Sequence, residues 1–407
     1  MSKKRKQAIQ IDEKYLAGGG CGEMANGCGG CVFQGYDYAG EIDAKEKLVL
    51  GLLKEANIAG FDYMGIIPAP DIGSYRNKVE FSFGDDGPGG RLKLGMRMKG
   101  SRYSVSDGSC CLIADGDMRL IAGCINEYFA EVGISFHHKR NRTGHLRHAV
   151  IRKGFFTGEI LINIVTTSDV PDFMDIAGEL LKLRLSGKIM GILHTTCDTV
   201  ADAVKPEEVR ILHGRPFIYE KLLGLTFNIT PFSFFQTNSA GAEKLYSTVL
   251  DFAGELTGKR ALDLYCGTGT IAQLMAAGGA REVTGVELVG EAALSARENA
   301  KLNGLDGKCD FIEGDVLKYL KERDDTSRAD LIVLDPPRDG LHPKALAHII
   351  EYAPGELIYV ACKPQSLARD LPQILESGYE CVKVRICDMF PRTQHVETVC
   401  LLRRKPS

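Results

Sequence analysis

The chain has 407 residues, enough for two domains, and 44% of them are hydrophobic, ample for sizeable cores. No run of 18 apolar residues occurs, and the basic start Met1-Ser2-Lys3-Lys4-Arg5-Lys6 lacks a following apolar core, so neither a membrane span nor a secretion signal is expected. The net charge of -3 argues against a globally basic nucleic-acid binder, and thirteen cysteines without an export signal point to a reducing cytoplasm, where thiols serve metals or catalysis rather than disulfides.

Residues 1–20 read as a flexible tail ending in Gly18-Gly19-Gly20, and Cys21 to Cys31 as a compact cysteine loop. The pattern over 37–58 predicts a helix, with Leu48, Leu52 and Ile58 as its apolar positions. Residues 75–166 look largely β, as in Lys78–Phe83, Arg91–Met98 and Glu159–Thr166, with Gly-rich turns between them and a helix near 171–186. Residues 71–157 hold 14 Lys/Arg against 9 Asp/Glu and four of the nine His, a local basic surface that suits phosphates despite the overall charge.

From about residue 260 strand, turn and helix alternate. Predicted strands are Arg260–Leu264, Glu282–Val286, Cys309–Ile312, Leu331–Leu334 and Glu356–Ala361, separated by helical runs such as Gly290–Leu302. Tyr379–Cys387 and Val396–Arg403 read as two strands closing the sheet, expected to be antiparallel. The fold class is therefore α/β: a Rossmann-like doubly wound sheet over 226–407, a mainly β central domain over 21–225, and the tail.

Asp263-Leu264-Tyr265-Cys266-Gly267-Thr268-Gly269-Thr270 follows a strand and opens a helix. Glycines there let a ligand approach the backbone, and the helix amides supply a favourable dipole. Gly267 and Thr270 are candidate cofactor contacts. Glu287, at the end of the next strand, suits two ribose hydroxyls, and Asp315, in Glu313-Gly314-Asp315, suits an adenine edge. With Asp335-Pro336-Pro337-Arg338 after the fourth strand, this ordered set favours S-adenosylmethionine over a dinucleotide. Asp335 suits either the imide edge of a pyrimidine or the cofactor.

Cys362 ends the strand Glu356–Ala361 and precedes a helix, the end of the sheet where open α/β folds bind ligands. Uracil carbon 5 is a poor nucleophile until a thiolate adds at carbon 6. Methylation there needs one activated cysteine and one base, and Cys362 and Glu397 fit those roles. A free thiol titrates near 8.5, so a local positive field is expected, with Lys363, Arg338 and Arg392 as candidates. Cys21, Cys28 and Cys31, with Cys110 from Asp107-Gly108-Ser109-Cys110-Cys111 as fourth, suit zinc or an iron–sulfur cluster.

These motifs together resemble the bacterial RNA uracil-5-methyltransferases, which make 5-methyluridine in 23S ribosomal RNA and in tRNA. The resemblance spans Cys21 to Cys400. It includes Cys28-Gly29-Gly30-Cys31 with Gln34, Tyr75-Arg76-Asn77-Lys78, Gly144-His145-Leu146-Arg147-His148, Ser233-Phe234-Phe235-Gln236-Thr237-Asn238, Tyr359-Val360-Ala361-Cys362 and His395-Val396-Glu397. It implies Gln236, Tyr265, Glu287 and Asp335 as cofactor contacts, Cys362 as nucleophile and Glu397 as base. It also implies Cys21, Cys28, Cys31 and Cys110 as ligands of a [4Fe–4S] cluster, with the stretch 37–67, read as helical, packed on the catalytic domain. The implied partner is RNA, 23S rRNA before tRNA, and the protein is expected to act as a cytoplasmic monomer. Two departures stand out. Residues 1–20 are too short for the small RNA-binding barrel of many ribosomal members, and Ala361-Cys362-Lys363-Pro364 replaces the family's usual Ser-Cys-Asn-Pro.

Overall fold

The computed structural model describes residues 9–87, 89–138, 140–173, 175–199, 206–322 and 328–406. The cysteine loop contains a single turn, α1 (Gly22–Ala25), and the predicted first helix is α2 (Tyr38–Glu55). α2 buries Glu41, Ala44, Lys45, Val49 and Leu53, a stripe at helical spacing beside the expected Leu48 and Leu52 rather than through them. The stretch to residue 67 is not all helix: it ends in a strand, β1 (Asp62–Ile67).

A six-stranded sheet follows, with β2 (Lys78–Asp85), β3 (Leu92–Gly95), β4 (Leu146–Lys153), β5 (Glu159–Thr166), β6 (Lys188–Thr196) and β7 (Glu208–Gly214). Its order is β3-β2-β4-β5-β6-β7. Only β5 and β6 run parallel, joined by the short helix α4 (Ile176–Leu181), which follows α3 (Gly116–Val132) in the chain. α3 corrects the largely β reading of 75–166. The Asp115 side chain accepts the Asp117 N–H at its start, and Gly133, at φ 71°, terminates it. Met118, Ile121, Ala122, Ile125 and Phe129 form its inner face and pack on Val79 and Phe81 of β2 and Ala149 and Ile151 of β4.

A hairpin, β8 (Ile218–Leu222) and β9 (Leu225–Ile229), leads into the second domain. Its two-residue turn, Leu223-Gly224, has both φ angles positive, the turn whose twist matches paired strands. The expected boundary at 225 falls in this hairpin, whose Ile218, Leu222, Phe227 and Ile229 join the core under α5 (Ser239–Ala253).

The remaining elements are β10 (Arg260–Leu264), α6 (Thr270–Ala277), β11 (Glu282–Glu287), α7 (Gly290–Leu302), β12 (Cys309–Glu313), α8 (Val316–Glu322), β13 (Leu331–Leu334), α9 (Pro343–Tyr352), β14 (Glu356–Ala361), α10 (Pro364–Glu376), β15 (Tyr379–Cys387) and β16 (Glu397–Arg404). They form an eight-stranded sheet of order β1-β15-β16-β14-β13-β10-β11-β12. Alternate residues feed two cores. Ala261, Val333, Ile358, Val360 and Val399 face α5 and α6, while Leu262, Ile332, Leu357, Tyr359 and Cys400 face α2, α9 and α10. The two closing strands pair antiparallel as expected; only β16 opposes its neighbours, and β15 runs with the parallel set. β1 completes the sheet as a parallel edge on β15. β10 lies where the chain turns to either side of the sheet, the switch point at which such folds take ligands.

Residues 388–393, just before β16, are held from the other end of the chain. The Lys45 ammonium donates to Glu41 Oε1 (2.7 Å), Asp388 Oδ1 (2.8 Å) and the Phe390 carbonyl (3.2 Å), and its side chain is fully buried. Tyr38 donates its hydroxyl to Asp388 Oδ2 at 2.8 Å, and the Arg392 N–H donates to Glu41 Oε1 at 2.7 Å. The Arg392 carbonyl accepts from Val32 and Phe33 of the cysteine loop at 2.8 and 3.1 Å, and the Pro391 carbonyl accepts from Tyr75 at 3.0 Å. Breaking a buried charge pair by removing one partner costs about 3–5 kcal/mol. Lys45→Met is therefore expected to lower unfolding free energy by roughly that amount, measured by urea denaturation. A loss below about 1 kcal/mol would show that this cluster does not hold the two ends together.

Candidate active site

The loop after β10 is shaped by local backbone necessity. Tyr265, Gly267 and Gly269 all have positive φ, at 68°, 53° and 75°. A Cβ on Gly269 would lie 2.5 Å from Phe311, so glycine alone fits there. Beside Gly267 the nearest atom to such a Cβ is on Phe234, at 3.8 Å, and that ring is exposed. α6 starts at Thr270, which is buried, and its first-turn amides point into the same space. Glu287 accepts the Gly267 N–H at 3.0 Å and the Val289 N–H at 2.9 Å, so its carboxylate stands at the loop. Asp315 is exposed, accepts the Lys318 N–H at 3.0 Å, and lies close enough to Tyr265 for its charge to push that phenol up. Asp335 follows β13, and its N–H reaches the Leu264 carbonyl at 3.4 Å, which sets it beside the loop.

Cys362 and Glu397 are brought together by β16, the strand that runs antiparallel to both of its neighbours. Ala361 pairs with Thr398, the last rung of the β14–β16 ladder, so Cys362 and Glu397 occupy the next facing positions. Directly opposed residues in an antiparallel pair lie about 4.5–5.5 Å apart at Cα and point to one face. Glu397 is buried, and burial, then the charge of Asp335, raise it to about 8, with Arg338 opposing. Burial alone lifts Asp335 to about 7. Burial, then Glu397 and Asp335, push the Cys362 thiol up to about 12. Of the three cations expected to favour its thiolate, Arg338 alone acts on it perceptibly. Burial and the two carboxylates outweigh it, so the thiol is harder to ionise than a free cysteine.

Three further residues belong here. Asp263 is buried in β10, accepts the Ala272 N–H at 2.9 Å through Oδ2, and is raised by burial and then by Asp335. Tyr246 of α5 is raised well above its usual range by burial, then by Asp335; it hydrogen-bonds Gln236 and feels Asp263 and Glu397 as well. His395 is lowered to about 4 by burial and then by Arg338, Lys45 and Arg76, so it is a neutral imidazole at pH 7. Asp263 and His395 stood inside recognised motifs without a role. Tyr246 carried no signal beyond the helix period, because its partners come from four other segments. Gln236 is set by its backbone, whose carbonyl accepts from Asn77 Nδ2 at 2.8 Å.

Cys21, Cys28 and Cys31 line one hollow of the central domain, and the fourth thiol lining it is Cys111. The expected Cys110 is exposed, at the end of a single 3-10 turn, Gly108–Cys110, which aims the next residue inward instead. Cys28 and Cys31 are buried. Cys28 Sγ accepts the Gly30 N–H at 3.4 Å, and Cys31 Sγ accepts from Gln34 Nε2 at 3.8 Å, the kind of donors that metal-bound sulfurs take. Burial raises Cys31 to about 11, with Cys111 and Cys28 adding to it. Among the described residues no three or more His, Cys, Asp or Glu stand together as a ready metal site.

A family model described as a methyltransferase domain matches residues 256–400. Over 379 residues the chain is 48% identical to an RNA methyltransferase of Clostridium tetani, described as uncharacterized, covering 93% of this chain and 82% of the relative. A second such RNA methyltransferase, from Caldanaerobacter subterraneus subsp. tengcongensis, is 45% identical over 93% of this chain and 83% of its own. The solved Pyrococcus abyssi tRNA (uracil-54, C5)-methyltransferase, in complex with S-adenosyl-L-homocysteine, superposes with a TM-score of 0.74 at 28% identity, over 92% of this chain and 86% of that one. With the cofactor-type loop at the switch point and these relatives along nearly its whole length, the chain belongs to the S-adenosylmethionine-dependent RNA methyltransferases.

Proposed function

We propose that the protein methylates carbon 5 of a uridine in RNA through a covalent Cys362 intermediate. The observation that carries this reading is Cys362 facing Glu397 across the β14–β16 pair, with Asp335 and the glycine loop alongside. The Cys362 thiol gives its proton to water, and its sulfur bonds carbon 6 of the pyrimidine, which moves the double-bond electrons into an enolate. Carbon 5 would then take the methyl group from the cofactor's sulfur, which would leave as the neutral thioether, and Glu397 removes the carbon-5 proton. The electrons of that bond rebuild the 5,6 double bond and expel the thiolate. The sulfonium cofactor supplies the methyl and a positive charge that opposes the carboxylates around Cys362. Asp335, raised to about 7, is available near neutral pH both as a hydrogen-bond donor and as an acceptor toward the pyrimidine edge. Gly267, Thr270, Glu287, Gln236, Tyr265 and Asp315 hold the cofactor in this reading.

RNA containing 5-fluorouridine lacks the carbon-5 proton, so the enzyme is expected to form a denaturation-stable adduct with it in the presence of cofactor. Cys362→Ser is expected to form none, to lose methyl transfer, and to keep S-adenosylhomocysteine affinity within about twofold. An adduct formed by Cys362→Ser would remove Cys362 from the mechanism. The substrate class proposed is 23S rRNA; tRNA is the second reading, supported by the tRNA specificity in the name of the Pyrococcus abyssi relative. Mapping 5-methyluridine in both RNAs from cells lacking the gene decides between them.

The cysteine hollow is proposed to hold a [4Fe–4S] cluster on Cys21, Cys28, Cys31 and Cys111. Its soft four-sulfur donor set suits iron–sulfur chemistry, and its role is structural, since the methyl transfer moves no electrons through it. Protein purified without oxygen is expected to contain about four irons per chain. Cys111→Ala is expected to lose them while Cys110→Ala keeps them. Iron retained by Cys111→Ala, or zinc in its place, would overturn the assignment.

A further inference from the structure

Three arginines and two histidines of residues 71–157 line one pocket that the proposed chemistry does not use. Ser82, Arg97, Arg102, Tyr103, His137, Arg147 and His148 line it, and among the described residues no Asp or Glu does. Arg102 is exposed, at its rim. Tyr103 is stacked on His138 with ring centroids 4.0 Å apart and planes at 20°, which braces an aromatic face at the edge. The Ser82 hydroxyl, 3.3 Å from His148 Nδ1, ties the floor of β2 to that of β4.

Two strands join this pocket to the catalytic domain. In the β2–β4 ladder, Ser82 pairs with His148 and Lys78 pairs with Arg152. These four share the face opposite Val79 and Phe81, which pack on α3. Arg152 donates to the Pro231 and Ser233 carbonyls, and the Asn77 N–H donates to the Thr237 carbonyl at 2.8 Å. The far end of this face therefore lies against residues 231–237, next to the glycine loop. Four strand residues separate the two ends, about 13 Å at 3.3 Å per residue. Arginines that meet phosphates and an aromatic face that stacks a base are the two elements single-stranded RNA sites combine.

We propose that this surface binds a second nucleotide of the RNA substrate, away from the methylated uridine, with its phosphate on Arg97 and Arg102 and its base against Tyr103. The inference rests on the chain's being an RNA methyltransferase but not on the Cys362 mechanism. The test compares Arg102→Gln and Tyr103→Ala with the wild-type protein on two RNAs: a long stem–loop, and an oligonucleotide of about five residues around the target uridine. Arg102→Gln is expected to weaken long-RNA binding about three- to tenfold and to lower the salt dependence of log Kd by about 0.7. Tyr103→Ala is expected to weaken it without changing that slope. Short-RNA binding and S-adenosylhomocysteine binding are expected to stay unchanged in both. Unchanged long-RNA affinity and slope in Arg102→Gln, or an equal loss on both RNAs, would overturn the second subsite. Because binding is the readout, failure of the covalent mechanism would show separately, as wild-type protein that binds RNA without forming an adduct.

Discussion

The buried Lys45 ammonium is the constraint on which the rest depends. It bridges Glu41 on α2 and Asp388 before β16, more than three hundred residues apart, in a site from which water is excluded. Two cations, Lys45 and Arg392, face two carboxylates there, so charge is balanced where no solvent screens it. The segment so fixed leads directly into Glu397. It also receives the cysteine loop at Arg392, whose φ of 67° bends the chain toward both. The cysteine hollow and the candidate base thus share one support. Disorder in the loop from Cys28 to Tyr36 would release two hydrogen bonds from the Arg392 carbonyl and one from Arg392 Nη1 to the Tyr36 carbonyl.

The electrostatics of the site follow from what it encloses. Asp263, Asp335, Glu397 and the Tyr246 hydroxyl gather together, Glu397 and Asp335 act on Cys362, and Arg338 is the counter-charge that acts on both the thiol and Glu397. Burial makes each negative form costly, and each anion makes the next one costlier. The raised Asp335 and Glu397 contribute stability that is fully present below their unfolded values and is lost as pH rises through about 7 and 8. A site of this kind favours the arrival of a cation. A sulfonium cofactor meets that demand, and its binding lowers the cost of ionising the thiol as well.

Much of this was legible in the sequence, and the failures have physical reasons. The parallel strands from Arg260 to Ala361 were continuous apolar runs bounded by turns, because both faces of that sheet are covered. Cys362 and Glu397 were recognisable as chemical types, but their opposition across a strand pair was not. β1 escaped notice because Asp62-Tyr63-Met64-Gly65-Ile66-Ile67 is short, holds a glycine at φ 79°, and gains its partner only from β15. α3 was readable, with apolar residues at helical spacing between Asp115 and Gly133, but lay in a region judged by its flanking strands. The Lys45 cluster was invisible in principle: a lysine among glutamates on a helix looks like a solvated face until the far end of the chain supplies Asp388. Which of Cys110 and Cys111 lines the hollow depends on one residue of 3-10 geometry, finer than spacing resolves.

The division of labour between Cys362 and Glu397 is the centre of this account. The direct measurement is the intact mass of Glu397→Gln after incubation with unmodified RNA and S-adenosylmethionine. Addition of the thiol and transfer of the methyl precede the step that needs Glu397, so the account requires a complex of protein and RNA carrying one extra methyl group. Free methylated RNA released at the wild-type rate, with no such complex, would contradict it.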